Sequence, residues 1–403
     1  MANSKGQCMS EQKKSLFEFL GVADQERIHT QTLAWILNPE HSPLNLEDYC
    51  KIFAKFFDIK IEQKVDVHSV VTELANIDLL ITTKDKVIVL ENKFKSKQSA
   101  GQLKRYEEYV EKESEYKEKK KKYFFLALSG EKSATPNWNN KNYSDVLDAL
   151  TEIKNYPYVT DYISLINNLV KAKKFFIENA GYRKEIFARS GLKNKHRILS
   201  DAISNSYPEE IKFICANKLE RLFTEIYYIT VVEKLGQSEG IVIDIGESQG
   251  KALIQVDFRS LNFTTRVGVL GFKKELLLGV GMQIQGDTIK QNIRVTSSDL
   301  DQCHREYTQS SIEDFPGVFA EFLDSELKKR AVLLEDENEQ DNRGRANKGK
   351  TKFYRSYSKS FESSEFKSKS VKDAASFLKT EIDNSLKLWT DVLKKYEQIA
   401  EKS

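Results

Sequence analysis

The chain has 403 residues, too many for one ordinary domain, and 40% are hydrophobic, with 23 Phe and 17 Tyr to fill two sizeable cores. A formal net charge of +3 excludes a general polyanion coat, so any nucleic-acid surface must come from local clusters. No apolar run approaches about 18 residues, the N-terminal MANSKGQCMSEQKK lacks a hydrophobic signal core, and the scattered Cys8, Cys50, Cys215 and Cys303 form no CxxC pair. A soluble chain without disulfides, in a reducing cytoplasm and with no membrane partner, is expected.

In chain order, residues 11–58 read as helices. Over Gln25 to Asn38, apolar Ile28, Leu33, Ile36 and Leu37 recur at helical spacing and stop before Pro39. Glu26 and His29 share one side of that helix. Glu26 either points into a cleft or complements the positive helix N-terminus, while His29 reads as a packed or hydrogen-bonded residue. A helix over about Leu46 to Phe57 leads into a strand near Ile59 to His68.

Ile77 to Thr82 and Val87 to Glu91 are β-branched, apolar runs separated by the polar Thr83-Lys84-Asp85-Lys86, which predicts a hairpin. A turn centred between Lys84 and Asp85 sets Thr82 opposite Val87 and Asp78 opposite Glu91. Lys93, two residues beyond Glu91, falls on the same face. Opposed like charges destabilise a hairpin unless a cation sits between them. Two carboxylates offering hard oxygens suit Mg²⁺, with Mn²⁺ substituting, and leave coordination sites for water and phosphate. The alternative, a solvated salt-bridge cluster, fits poorly with flanks that read as buried on both faces.

A helix beginning near Gln98 and running to Glu118 puts Gln102 and Tyr106 four residues apart on one face. They either hold a metal-bound water or phosphate or merely pack. Tyr123 to Ser129 is a continuous apolar strand, buried and parallel to a neighbour. Helices near Ser144–Lys154 and Asp161–Phe176 complete an alternation that argues an α/β fold.

Asp78, then Glu91-Asn92-Lys93, then Gln102-Leu-Lys-Arg-Tyr106 resembles the PD-(D/E)XK nuclease superfamily, with the Gln-x-x-x-Tyr element similar to its helicase-linked exonuclease branch. Glu26-Arg-Ile-His29-Thr with Leu33-Ala34-Trp35-Ile36-Leu37-Asn38-Pro39 is similar to the opening of a bacterial subfamily. The resemblance runs from about Asp24 to Ser129. It implies a restriction-endonuclease-like core of αβββαβ order, a mixed sheet flanked by helices. It also implies Asp78 and Glu91 as metal ligands, Glu26 as a further acidic residue near the metal, Lys93 as the catalytic lysine, and Gln102 and Tyr106 as supporting site residues. Ile77 stands where the family motif has proline. The implied activity is metal-dependent hydrolysis of nucleic acid, DNA before RNA, with defence against foreign DNA as the context. An RNA-directed toxin and a catalytically silent scaffold remain the rival readings.

The second half carries no motif of known chemistry. Lys184 to Ser206 and Pro208 to Lys234 read as long helices. Ile241–Ile245, Ala252–Phe258, Asn262–Leu270 and Glu275–Met282 read as a small antiparallel sheet, and Asp314–Ala331 as a helix. Residues 335–352 read as a flexible charged loop, followed by a helical segment with a terminal helix from Val371 to Lys402. The expected division is thus 1–178 nuclease-like, 179–334 accessory, 335–352 loop and 353–403 helical. This half is expected to select substrate, form a homodimer, bind a partner protein or control the nuclease. Two basic runs, Lys117–Lys122 and Arg183–Arg197, are either phosphate contacts or solvated helix ends. Cys303-His304 lacks zinc-site spacing, the five histidines do not cluster, and Gly279-Val-Gly281 lacks the following helix of a phosphate loop.

Overall fold

The computed structural model describes residues 14–95, 98–99, 101–133, 135–153, 156–190, 207–236, 238–248, 251–295, 316–329, 353–362 and 366–403. Two compact units divide the chain: residues 1–178 with 193–226, and residues 179–192 with 227–403.

The first unit opens with α1 (Leu16–Phe19), α2 (Glu26–Leu37) and α3 (Leu46–Phe57). Asn45 caps α3 through its side-chain oxygen, and α3 ends at Asp58 in the left-handed region. A five-stranded mixed sheet follows, in the order β1 (Val67–Leu74), β2 (Ile77–Thr83), β3 (Lys86–Lys93), β4 (Lys120–Ala127), β5 (Trp138–Lys141). β1, β2 and β3 pair antiparallel, and β3–β4 and β4–β5 pair parallel. The parallel β3–β4 step is bridged by α4 (Gln102–Lys112), as parallel pairs require. α5 (Tyr143–Leu150) and α6 (Pro157–Glu178) follow. This is the restriction-endonuclease-like architecture, with one short parallel strand, β5, beyond the expected order.

Both sheet faces are covered, which is why β2 and β3 are buried at almost every position. On one face α4 lays Leu103, Tyr106 and Val110 over Val87, Val89, Tyr123, Phe125 and Trp138. On the other, Leu90 meets Leu33, Ile36, Phe56, Phe57 and Val146 from α2, α3 and α5, and Phe57 stands edge-on to Phe124 at 5.2 Å. Two further helices, α8 (Glu209–Ala216) and the first part of α9 (Glu220–Leu235), belong to this unit. Phe223 packs on Phe176 of α6 at 5.5 Å.

The strand expected at Ile59–His68 lies later, at Val67–Leu74. The Asp66 carboxylate accepts from the Glu62 and Gln63 amides, both at 2.9 Å, and folds the intervening chain into a turn. Ile59 and Ile61 are buried as loop residues, and their alternation imitates a strand. α4 begins at Gln102 rather than Gln98, because Gly101 takes a left-handed conformation ahead of it.

The second unit contains α7 (Arg183–Ser190) and a six-stranded sheet. Its strands are β6 (Ile241–Ser248), β7 (Lys251–Phe258), the two-residue β8 (Phe263–Thr264), β9 (Leu277–Gln285), β10 (Thr288–Val295) and β11 (Phe353–Ser360). They run β11-β10-β9-β7-β6, with β8 on β9. α10 (Gly317–Lys329) and the long α11 (Val371–Ala400) belong to the same unit. Trp389 Nε1 of α11 donates to Gln291 Oε1 of β10 at 3.1 Å, and Gln291 Nε2 donates to Ser385 Oγ at 2.6 Å. Three expectations for the second half of the chain change. The helix read over Pro208–Lys234 breaks at Lys218, which has φ 55°. The strand read over Asn262–Leu270 shrinks to two residues. Residues 353–360, read as part of a helical segment, form an edge strand. The charged loop expected at 335–352 lies outside the described residues. Among the described residues no helix is long and apolar enough to cross a membrane, and Cys50 and Cys215 are free thiols.

Replacing Phe57, fully buried among Phe53, Phe56 and Phe124, tests this packing. Phe57→Ala is expected to cost about 3–5 kcal/mol, read as a lowered midpoint in chemical denaturation.

Candidate active site

The hairpin register follows the constant sum: Thr82 faces Val87 and Leu79 faces Leu90. The backbone ladder stops there, one pair short of Asp78 and Glu91. The Asn92 amide, next along β3, donates to Asp78 Oδ2 at 2.7 Å. A side chain thus replaces a backbone partner where the two strands part. Glu91 is completely buried and Lys93 is 7% exposed.

Lys93, Gln102 and Asp78, all singled out in the sequence, bear on the Glu91 carboxylate. Lys93 Nζ forms an ion pair with Glu91 Oε1. Gln102 Nε2 donates to the same oxygen at 2.7 Å and also to the Tyr106 hydroxyl at 2.7 Å. Tyr106 in turn donates to the Asn76 carbonyl at 2.5 Å. The Ser99 amide holds the other end of Gln102, donating to Oε1 at 3.2 Å. The four-residue spacing on α4 is what lets Gln102 and Tyr106 act as one strut.

Glu91 Oε2 is buried with no N–H group on it, and the Asp78 and Glu91 carboxyls stand within hydrogen-bond reach of each other. Burial, and then the Asp78 carboxylate beside it, push the Glu91 pKa above the carboxylate range. Burial likewise raises Asp78, against the Asn92 amide and the Lys93 charge, which pull it down. Burial alone would lower Lys93, but Glu91 and Asp78 outweigh it and hold the ammonium form. Two close carboxylates, one with an orphaned oxygen, are a donor set that fits a hard divalent cation. Mg²⁺ takes one or two protein carboxylates and fills its remaining positions with water and phosphate. Among the described residues no group of three His, Cys, Asp or Glu side chains is arranged to hold a metal.

Glu26, the first residue of α2, is therefore not brought into a three-carboxylate cluster with Asp78 and Glu91. Its Oε2 accepts from the Phe94 and Lys95 amides, at 2.6 and 3.2 Å, and so clasps the chain as it leaves β3. Its charge still bears on Asp78 and Lys93. His29, one turn on, is fully buried and stacked on Phe94 at 4.2 Å. Its Nε2 faces the Ala23 carbonyl at 3.0 Å and its Nδ1 faces the Tyr162 hydroxyl at 3.3 Å. A carbonyl can only accept, so the ring carries its proton on Nε2 and accepts from Tyr162. Burial drives its pKa down to about 4, and the ring is a neutral packing element.

Asn92, between the two site residues of β3, was not singled out by sequence. It faces the opposite side of the sheet, where Tyr143 Oη donates to Oδ1 at 3.0 Å and Nδ2 donates to Thr30 Oγ1 at 3.0 Å. The available signal was a lone amide inside an otherwise apolar strand. Asp24 was also missed; its carboxylate holds Lys95 Nζ at 2.5 Å. The basic run Lys117–Lys122 sits at the other end of the sheet, since Lys120 pairs with Lys86, seven residues or about 23 Å along β3 from Lys93. Lys119 and Lys122 there donate to the carbonyls of Thr83 and Asp58, at 2.5 and 2.8 Å. Of the second basic run, Arg183 is buried over the Tyr227 ring at 4.5 Å; residues 191–197 lie outside the described residues.

Residues 15–186 match the family model of the PD-(D/E)XK nuclease superfamily. That segment spans β1 to β5 and every site residue named above. No curated protein and no solved structure matches the chain.

Without a cation, the two carboxylates destabilise the fold they sit in. Glu91→Gln keeps the acceptor for Gln102 and Lys93 and places an amide donor against Asp78. It is expected to stabilise the chelator-treated protein by on the order of 1 kcal/mol. Protons held more tightly in the folded state stabilise it while bound. In EDTA, wild-type stability should therefore fall as pH rises from the ordinary carboxylate range toward neutral and beyond. Glu91→Gln should flatten that profile, as read by thermal denaturation across pH.

Proposed function

We propose that the chain is a metal-dependent phosphodiesterase acting on nucleic acid, DNA in preference to RNA. The observation that carries this is the orphaned Glu91 oxygen beside Asp78, with the Lys93 ammonium in the same buried spot. The superfamily match of residues 15–186 supports it independently.

A bound Mg²⁺ would supply an acidified water and neutralise charge on the scissile phosphate. Asp78 and Glu91 would hold the ion through carboxylate oxygens. Lys93, kept charged by those carboxylates, orients the attacking water and offsets negative charge gathering on phosphorus. Gln102 fixes the Glu91 carboxylate, and Tyr106 fixes Gln102, so the Glu91 rotamer is set before substrate arrives. Glu26 holds the backbone on which Lys93 sits. The products are a 5′-phosphate and a 3′-hydroxyl. A cytoplasmic role against foreign DNA fits such an activity.

The test is incubation with plasmid, linear duplex, single-stranded DNA and RNA, each with Mg²⁺, Mn²⁺ or EDTA. Cleavage of DNA with either metal and none in EDTA is expected. Cleavage of RNA alone would mark a toxin-like enzyme, and cleavage of nothing a silent scaffold. Asp78→Ala, Glu91→Ala and Lys93→Ala should each lower the rate by at least about a hundredfold, with circular dichroism unchanged. Glu26→Ala and Gln102→Ala should weaken it less. Full activity in Lys93→Ala would remove that residue from the mechanism.

A further inference from the structure

The chain does not finish with the nuclease core at the end of α6. Residues 193–226 belong to the same compact unit, where Ile211 and Ile214 of α8, Leu222 and Phe223 of α9, and Leu219 between them are buried. Between the two helices lies a tight turn, Asn217-Lys218-Leu219. The Leu219 amide donates to Ile214 O at 2.9 Å and the Lys218 amide to Cys215 O at 3.2 Å. That is a Schellman motif, and Leu219 and Ile214, the positions its apolar contact uses, are both buried.

The residue in the left-handed position of that motif is Lys218, φ 55°, where glycine is the ordinary occupant because a Cβ is penalised there. The Lys218 side chain is exposed, so packing does not explain the choice. The turn is also anchored beside the site: Lys95 Nζ, two residues past Lys93, donates to the Lys218 carbonyl at 3.3 Å while paired with Asp24. The Lys95 amide is in turn clasped by Glu26. Exposed basic side chains flank the other site elements, Arg27 next to Glu26 and Lys104 and Arg105 on the first turns of α4.

We infer that the α8–α9 turn is a phosphate clamp at the mouth of the nuclease site, with Lys218 contacting the substrate backbone beside the scissile bond. This rests on the nuclease reading. It assigns a substrate-gripping role to a segment beyond residues 15–186, the stretch that the superfamily model matches. Lys218 bears a backbone penalty so that an ammonium stands where a nucleic-acid strand passes. Its own carbonyl is fixed by Lys95, which ties the clamp to the strand end that carries Lys93. Contacts of this kind read phosphates and not bases, so the grip is independent of sequence.

The experiment compares wild type with Lys218→Gly, Lys218→Glu and Lys218→Arg as full chains. Binding to a fluorescein-labelled DNA duplex, its single strand and the matching RNA is followed by anisotropy in EDTA over a salt series. Lys218→Gly should raise the melting temperature by about 2 °C and yet weaken binding severalfold. The slope of log affinity against log salt should shrink by about one. Lys218→Glu should weaken binding by tenfold or more, and Lys218→Arg should restore it. With Mg²⁺, the loss in Lys218→Gly should appear in KM, with kcat within about twofold. If wild type binds and cuts a probe while Lys218→Gly and Lys218→Glu match its affinity and salt slope, the clamp is overturned and the nuclease reading stands. If wild type neither binds nor cuts any probe, both fall together.

Discussion

Two carboxylates are buried against each other where the β2–β3 ladder runs out, and the rest of the site exists to make that tolerable. A desolvated carboxylate costs several kcal/mol unless paired, and a second one beside it adds repulsion. Three groups offset the cost: the Lys93 ammonium, the Gln102 amide and the Asn92 backbone N–H. All of them satisfy Glu91 Oε1 or Asp78 Oδ2, and none reaches Glu91 Oε2. Within the site, the unmet electrostatic demand therefore falls on that oxygen. The apolar layers on both faces of the sheet supply the stability that this arrangement spends.

Residues 91–95 serve both sides of the sheet in turn. Glu91 and Lys93 face α4, and Gln102 and Tyr106 brace them from the start of that helix. Asn92 faces the other way and is bound to α2 through Thr30 and to α5 through Tyr143. At Phe94 and Lys95 the backbone leaves the sheet and its amides pass to Glu26. Three helices thus fix five consecutive residues. That rigidity is what a site placing a phosphate within a fraction of an ångström requires, and it comes from polar groups on elements that otherwise pack through hydrocarbon.

Strand period and turn length made the hairpin readable, because a one-residue slip would have turned Asp78 and Glu91 to opposite faces. The helical spacing of Gln102 and Tyr106 was equally plain. What stayed hidden depended on contacts between distant segments. Glu26 read as either a cleft residue or a helix-end charge, and its role as a backbone clasp depends on Phe94 and Lys95, some seventy positions on. Ile59 and Ile61 alternate like a strand, but the Asp66 carboxylate folds their neighbours into a turn. In the second unit β10 (TIKQNIRV) went unread because an inward Gln291 breaks its apolar alternation, and only Trp389 and Ser385 of α11 make that inward amide affordable.

The break at Lys218 shows how a local rule can fail for a physical reason. From sequence, Pro208 to Lys234 is a single helix, with no glycine or proline inside it to stop it. The stop comes instead from burial. Ile211, Ile214 and Cys215 on one segment and Leu222, Phe223 and Ile226 on the next are all buried. An unbroken helix would set Lys218 on the same face as Ile211, Cys215, Leu222 and Ile226. The break keeps both apolar sets buried and leaves Lys218 exposed. The apolar energy of seating both stretches outweighs the small penalty of a left-handed lysine. A glycine would have signalled the turn and spared that penalty. Lysine at this position keeps its side chain in solvent while its carbonyl meets Lys95 just beyond β3, and a backbone conformation unfavourable in itself is the observation from which the proposed phosphate clamp starts.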